Sequence, residues 1–258
     1  MNQPQGARWY GAGRTDVGLV RRTNQDALLL RNELGLWIVA DGMGGHAGGE
    51  VASQIAVETT ASLMTALLES GDRHGGHHQE GLRKAVIESN AAIQAEGAKR
   101  PEYKGMGTTL TALHVAGFPQ AQATLAHVGD SRAYLHRAGT LSQLTKDHSW
   151  VEEQVRAGRL SEDETATHPL RHMLTRALGI AAHVEPDMLS LFLLTGDQIL
   201  LCTDGLTKML SDEEILDILA RFRLDAQSAC DTLVRRANEQ GGQDNVTVLV
   251  VSDLAGGP

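Results

Sequence analysis

Three aspartates each sit at the end or the start of an apolar run, with glycine or asparagine beside them. They are Asp41 in Leu36-Trp37-Ile38-Val39-Ala40-Asp41-Gly42, Asp204 in Ile199-Leu200-Leu201-Cys202-Thr203-Asp204-Gly205, and Asp244-Asn245, set between Gly241-Gly242 and the run Val246–Val251. A fourth, Asp130, follows glycine in His127-Val128-Gly129-Asp130-Ser131-Arg132. A strand end fixes a side chain in place, and a neighbouring glycine lets the backbone turn sharply next to it. Carboxylates free of cysteine and of clustered histidine suit hard divalent cations such as Mg²⁺ or Mn²⁺. One Asp-Gly alone reads most simply as a turn. Four of them point to a multi-carboxylate centre in which two ions share a bridging carboxylate, acidify a water and clamp phosphoryl oxygens. That is the chemistry of phosphate-ester hydrolysis.

The elements that must carry these residues follow from periodicity. Ala27–Leu30 and Leu36–Ala40 read as strands, and Glu50–Leu68 as a helix with Val51, Ile55, Leu63, Leu67 and Leu68 at helical spacing. A loop over residues 71–78 leads to a second helix at about 80–95. Strands are expected over 108–115 and 122–128, joined near Gly117-Phe118-Pro119, with a hairpin of 133–135 and 141–144 around Ala138-Gly139. Residues 149–178 read as mostly helical, including Leu170–Leu178. Ser161/Glu164 and Ser211/Glu214 have capping-box spacing. A strand over 198–203, helices to Phe222 and over 225–239, and a last strand over 246–252 complete the chain. Strands and helices come in blocks without regular βαβ alternation, which is α+β order. No linker divides residues 1–258, so one domain is expected.

Bulk properties narrow the function classes. The 258 residues carry a net charge of −9 with no Lys/Arg cluster, which argues against nucleic-acid binding. Cys202 and Cys230 are the only cysteines and read as reduced thiols rather than a disulfide framework. Residues 1–7 lack the features of a secretory leader. The longest apolar stretch, near Met188–Leu194, is too short for a bilayer. The expectation is a soluble, cytoplasmic monomer with no membrane partner.

Six motifs in order identify a family. Arg21-x-x-x-Gln25-Asp26, Asp41-Gly42-Met43-Gly44-Gly45-His46, Gly105-Met106-Gly107-Thr108-Thr109, Gly129-Asp130-Ser131-Arg132, Asp204-Gly205 and Gly242-x-Asp244-Asn245 together resemble the metal-dependent protein phosphatases (the PPM or type 2C family) in their compact bacterial form. The resemblance runs from about Thr15 to Asp253. It implies a four-layer α-β-β-α sandwich, with two central antiparallel β-sheets flanked by helices. It implies a centre of two Mn²⁺ or Mg²⁺ ions, with Asp41 bridging, the Gly42 carbonyl on the second ion, Asp204 and Asp244 on the first, and Asp26 near the second. A third ion is implied beside Asp130 and Asp204. Arg21 matches the phosphate-binding arginine, and its spacing to Asp26 favours it over Arg22. The implied activity is hydrolysis of phosphoserine and phosphothreonine on proteins by a metal-activated water, without a phosphoenzyme, opposing a bacterial Ser/Thr kinase.

Other readings stand beside this one. Met43 replaces a histidine that serves some eukaryotic relatives as general acid, so water or another residue must protonate the leaving group. His46 reads as a structural cap or core residue, and His74, His77 and His78 as a polar loop. Residues 146–183 correspond to a flap beside the cleft, rich in charge and histidine (Asp147, His148, Arg171, His172, Arg176). It reads equally as a substrate-choosing element coupled to the third ion or as a solvated helical surface. Cys230 with Arg236 has the spacing of a cysteine phosphatase, but on a helix-like, glycine-free segment. The competing functions are a non-catalytic scaffold with this fold, which should have lost its metal aspartates, and a metal hydrolase of small phosphate esters.

Overall fold

The computed structural model describes residues 9–44, 47–70, 75–116, 121–165 and 167–253. Residues 1–7, His46, the loop 71–74 and the junction at Gly117-Phe118-Pro119 lie outside them.

Two antiparallel sheets form the centre. The first contains β1 (Trp9–Asp16), β7 (Arg132–Arg137), β8 (Thr140–Gln143), β10 (Gln198–Cys202) and β11 (Val246–Asp253), in the order β1-β11-β10-β7-β8. The second contains β2 (Asp26–Arg31), β3 (Leu36–Met43), β5 (Leu110–Ala116), β6 (Ala121–Val128) and β9 (Asp187–Leu193), in the order β2-β3-β5-β6-β9, and the short β4 (Gly107–Thr108) adds to β3. Helices α1 (Gly48–Glu69) and α2 (Gly75–Lys99) follow β3; α6 (Asp212–Arg221) and α7 (Ala226–Glu239) follow β10.

Strand parity explains the layering. Successive side chains on a strand point to opposite faces. On β3, Leu36, Ile38 and Ala40 join a core with α1 and α2, whereas Trp37 and Val39 join the core between the sheets. On β11, Val246, Val248 and Val250 pack with α6 and α7, whereas Leu249 and Val251 face the other sheet. Both faces of these strands are therefore covered, which is why they read as continuous apolar runs despite being antiparallel. Three buried layers result, one on each side of each sheet with the middle one shared, so the expected α-β-β-α sandwich is the observed fold. Each fully buried Val, Leu or Ile side chain contributes about 1.5–3 kcal/mol.

The structure corrects several local expectations. The first sheet begins at Trp9 with a strand that was not among the expected ones, and β1 pairs with β11 along its whole length. His77 and His78 lie in α2, not in a loop, and the His78 ring meets that of His114 edge-on at 5.0 Å. Residues 170–178 are not helical. A turn over residues 170–172 leads into a stretch that the hydrogen bonds Trp150 N–Met173 O, Thr175 N–His148 O and the reciprocal Thr108–Leu178 pair hold against the sandwich. The flap's only helices among the described residues are α3 (Trp150–Arg156) and α4 (Glu162–Thr165). By length and composition α1 could cross a membrane, contrary to the expectation that no segment is long enough. Its Ala52, Ala56, Val57 and Met64 are buried in the core instead. The Ser211/Glu214 capping box forms as predicted, and the Ala138-Gly139 turn has positive φ at both residues (50° and 80°), as a tight hairpin demands.

Candidate metal centre

The two sheets deliver their aspartates to one end of the sandwich. Asp26 opens β2 and Asp41 lies near the end of β3, directly opposite each other in the register. Asp130 follows β6 and Asp204 follows β10. Asp244 stands two residues before β11, whose start lies beside the end of β10. Arg21, Asp41, Gly42, Asp130, Asp204 and Asp244 line a common cleft of about 820 Å³. Arg22 is not among its lining residues. Asp26 lies just beneath and accepts a 2.8 Å hydrogen bond from Thr203 Oγ1.

Each motif has a mechanical reason. The Asp41 backbone is gripped by the Gly-Met-Gly-Thr-Thr segment: Thr109 Oγ1 accepts from Asp41 N at 2.9 Å, while Thr109 N and Thr108 Oγ1 both donate to Asp41 O at 2.9 Å. At Gly42, a Cβ would fall 2.0 Å from Gly49 O and 2.5 Å from Gln25 O, so only glycine lets β3 pass the start of α1. Asp130 is set by its neighbours. Gly129 N donates to His148 Nδ1 at 3.0 Å, Ser131 Oγ meets Thr109 Oγ1 at 2.7 Å, and Arg132 forks onto Asp147. His148 is buried in this role and also contacts Asp187 from β9, so this part of the flap is a packed support rather than a solvated surface.

The electrostatics describe a site that is short of cations. Burial, followed by the charges of Asp26, Asp204, Asp130 and Asp244, holds the Asp41 carboxyl well above the usual carboxylate range. Burial also raises Asp26 to about 7, against the lowering effect of its threonine hydrogen bonds. Asp130 rises to about 7 through burial and the charges of Asp204 and Asp147, with Lys208 opposing. Asp26 Oδ1 and Asp204 Oδ1 are buried without a hydrogen-bond partner, an arrangement that costs free energy unless a cation takes those lone pairs. Among the described residues no three His, Cys, Asp or Glu side chains already close around one point. Instead Lys208 Nζ contacts Asp204 and lies 3.5 Å from Asp244, and Arg21 donates to Asp244 Oδ2 at 2.9 Å. Oxygen-only donors, orphaned carboxylate atoms and mutual repulsion fit a hard divalent cation.

Reading the residues in sequence missed Lys208, Asn245's role and Thr203. Lys208 stands four residues after Asp204, a helical spacing that signals contact. Asn245 is 6% exposed and ties down the loop bearing Arg21: it accepts from Gln25 N and donates to Val17 O and Thr23 O. Met43 does line the cleft, as does His172, whose imidazole is held below its ordinary range by partial burial and by Lys208 and Arg171. Cys230 is buried in α7, donates to Ala12 O at 3.3 Å and is pushed up to about 12 by burial, which removes any cysteine-phosphatase chemistry.

Comparison with known proteins agrees. Residues 17–249 match the protein phosphatase 2C family model. The chain is 41% identical over 249 residues to the serine/threonine phosphatase stp of Listeria welshimeri, covering 92% of this chain and 93% of that protein. It is 43% identical over 239 residues to the serine/threonine protein phosphatase PstP of Mycobacterium tuberculosis, covering 93% of this chain and 44% of that longer protein. The crystal structure of the M. tuberculosis serine/threonine phosphatase PstP superposes with a TM-score of 0.84 at 41% identity, covering 95% of this chain and 98% of that one. A PstP catalytic domain in complex with two manganese ions superposes at 0.82 and 40% identity, covering 95% and 97%. The chain belongs to the protein phosphatase 2C family. It is a serine/threonine protein phosphatase that depends on divalent metal and acts on phosphoproteins.

Proposed function

We propose that this phosphatase holds two Mn²⁺ or Mg²⁺ ions on Asp41, the Gly42 carbonyl, Asp204 and Asp244, with Asp26 supporting them from beneath and Asp130 with Asp204 available to a third. The observation that supports this most is the convergence of Asp41, Asp130, Asp204 and Asp244 on one cleft, with Asp26 paired opposite Asp41 and with orphaned buried oxygens on Asp26 and Asp204. Bound there, divalent cations supply an activated water and neutralise charge on the phosphoryl group. The chain's own residues do the rest. Arg21, already aimed into the cleft on Asp244, exchanges that carboxylate for two phosphate oxygens in a forked contact. The grip of Thr108 and Thr109 fixes Asp41, and Asn245 fixes the Arg21 loop. The substrates are phosphoserine and phosphothreonine segments made by a Ser/Thr kinase. Cys202 and Cys230 are free and buried, which suits a reducing compartment such as the cytoplasm.

Phosphate release from a phosphothreonine peptide, with Mn²⁺ and with EDTA, tests the reading in wild type and Asp204→Asn. Turnover should require metal and fall at least about a hundredfold in the variant. Turnover unaffected by EDTA and by Asp204→Asn would overturn the metal assignment. Free phosphoserine hydrolysed as well as the peptide would move the function to small esters, and a metal-loaded wild type without turnover would favour the scaffold.

A further inference from the structure

Lys208 has no part in the reading above, yet it occupies the centre's most contested position. It follows the short helix α5 (Asp204–Thr207), and its backbone N–H donates to Asp204 O at 2.8 Å. Its Nζ pairs with Asp204 Oδ2 and lies 3.5 Å from Asp244 Oδ2. Asp244 spends its other oxygen on Asn245 N at 2.9 Å. The side chain is two-thirds covered, with 32% of its surface exposed, so this is a seated ammonium and not a surface lysine brushing a carboxylate. Asp204 and Asp244 thus already share a cation that belongs to the chain.

The geometry points to Lys208 as a tethered competitor of the divalent cation. Without metal, its ammonium neutralises Asp204 and Asp244 and holds them together against their repulsion. A cation entering between them must displace it, since two positive charges cannot occupy one joint. A lysine four residues from Asp204 is held at high effective concentration by its own backbone. Lys208 therefore sets the divalent-cation concentration at which the centre fills, and so makes the phosphatase responsive to cation supply. This inference rests on the metal-centre assignment proposed above.

Isothermal titration of Mn²⁺ into metal-free protein tests it without reference to activity, in wild type, Lys208→Met, Lys208→Gln and Lys208→Arg. Removing a unit charge about 4 Å from the incoming ion should tighten Mn²⁺ binding about tenfold or more in the uncharged variants. Those variants should also melt earlier than wild type in EDTA, because their carboxylates lose a counter-ion. Lys208→Gln keeps a donor to Asp204 and covers the case in which the methionine variant does not fold. Lys208→Arg keeps the charge and should bind Mn²⁺ as wild type does. Affinities of the uncharged variants within roughly threefold of wild type, or weaker, overturn the competitor role, as does equal tightening in Lys208→Arg. A wild type that takes up no Mn²⁺ at all overturns the metal-centre assignment itself, and this inference with it.

Discussion

Asn245→Ala should cost stability and substrate binding together, because one buried amide holds the loop that carries Arg21. The side chain accepts from Gln25 N at 2.8 Å and donates to Val17 O at 3.0 Å and Thr23 O at 2.9 Å. Each bond is worth about 1 kcal/mol net, and an abandoned buried partner costs more than that. Val17 and Gln25 are only partly buried and Thr23 is exposed, so water recovers part of the loss. The expected destabilisation is about 2–3 kcal/mol by urea titration, or roughly 5–10 °C in Tm. Arg21 loses its anchor, so KM for a phosphothreonine peptide should rise, with kcat/KM falling about tenfold. Asn245→Asp keeps the shape and the acceptor but sets an oxygen against the Val17 and Thr23 carbonyls, so it should lose at least as much. A loss below about 1 kcal/mol with unchanged KM would refute the claim that Asn245 anchors the loop.

Gly42→Ala and Gly105→Ala separate two reasons for glycine. The first places Cβ 2.0 Å from Gly49 O, with backbone on both sides, and should cost about 3 kcal/mol or more. The second has positive φ (78°) with nothing within 4 Å, and should cost about 1–2 kcal/mol from backbone strain alone. Thermal melts that rank them the other way would refute the close-approach explanation. Acid sensitivity should trace partly to His114, which burial and the neighbouring His78 push from 6.5 down to about 4. The unfolded chain then takes up protons first. The contribution is whole above pH 6.5 and shrinks by about 1.4 kcal/mol per pH unit as pH falls towards 4. His127, held down to about 3, acts in the same direction, whereas Asp26 and Asp130, raised to about 7, oppose it. Urea midpoints from pH 7 to 4.5 should therefore be flatter in His114→Gln than in wild type, and identical slopes would remove His114 from the account.

The layering was legible because both faces of the central strands are covered. Leu36–Ala40 is apolar throughout and Val246–Val251 is apolar at every position but Thr247, and an apolar run that ends in Asp or begins after Gly-Gly marks a strand terminus without any partner being known. β1 was not legible for the opposite reason. Its Gly11 and Gly13 give no apolar alternation, since they make room for neighbours: a Cβ on Gly11 would fall 2.1 Å from the Trp37 indole nitrogen. Its strand character comes from pairing with β11, whose residues lie far along the chain, as in Trp9 opposite Asp253 and Asp16 opposite Val246. Leu170–Leu178 misled in a related way. Its spacing suits a helix, but bonds to His148, Trp150 and Thr108 take the backbone groups a helix would need for itself.

In the site, short motifs show which residues matter but not what each one holds. The Gly105–Thr109 segment contains no metal ligand. Its function emerges only when β4 pairs with the end of β3, which sets Thr108 and Thr109 on the Asp41 backbone. A one-residue slip between β2 and β3 would turn Asp41 away from Asp26 and out of the cleft. Those hydrogen bonds to the main chain of Asp41 are what make such a slip costly. The same distinction applies to charge. Five carboxylates could be counted along the chain, but whether the fold supplies their counter-ions depends on where α5 ends. It ends so that Lys208 points back at Asp204 and Asp244. Carboxylates this close cannot all remain ionised in a partly buried cleft without positive charge. Where divalent ions are scarce, that charge must come from Lys208 and Arg21. The residues that receive the cations are therefore also the ones that make a metal-free fold depend on its own basic side chains.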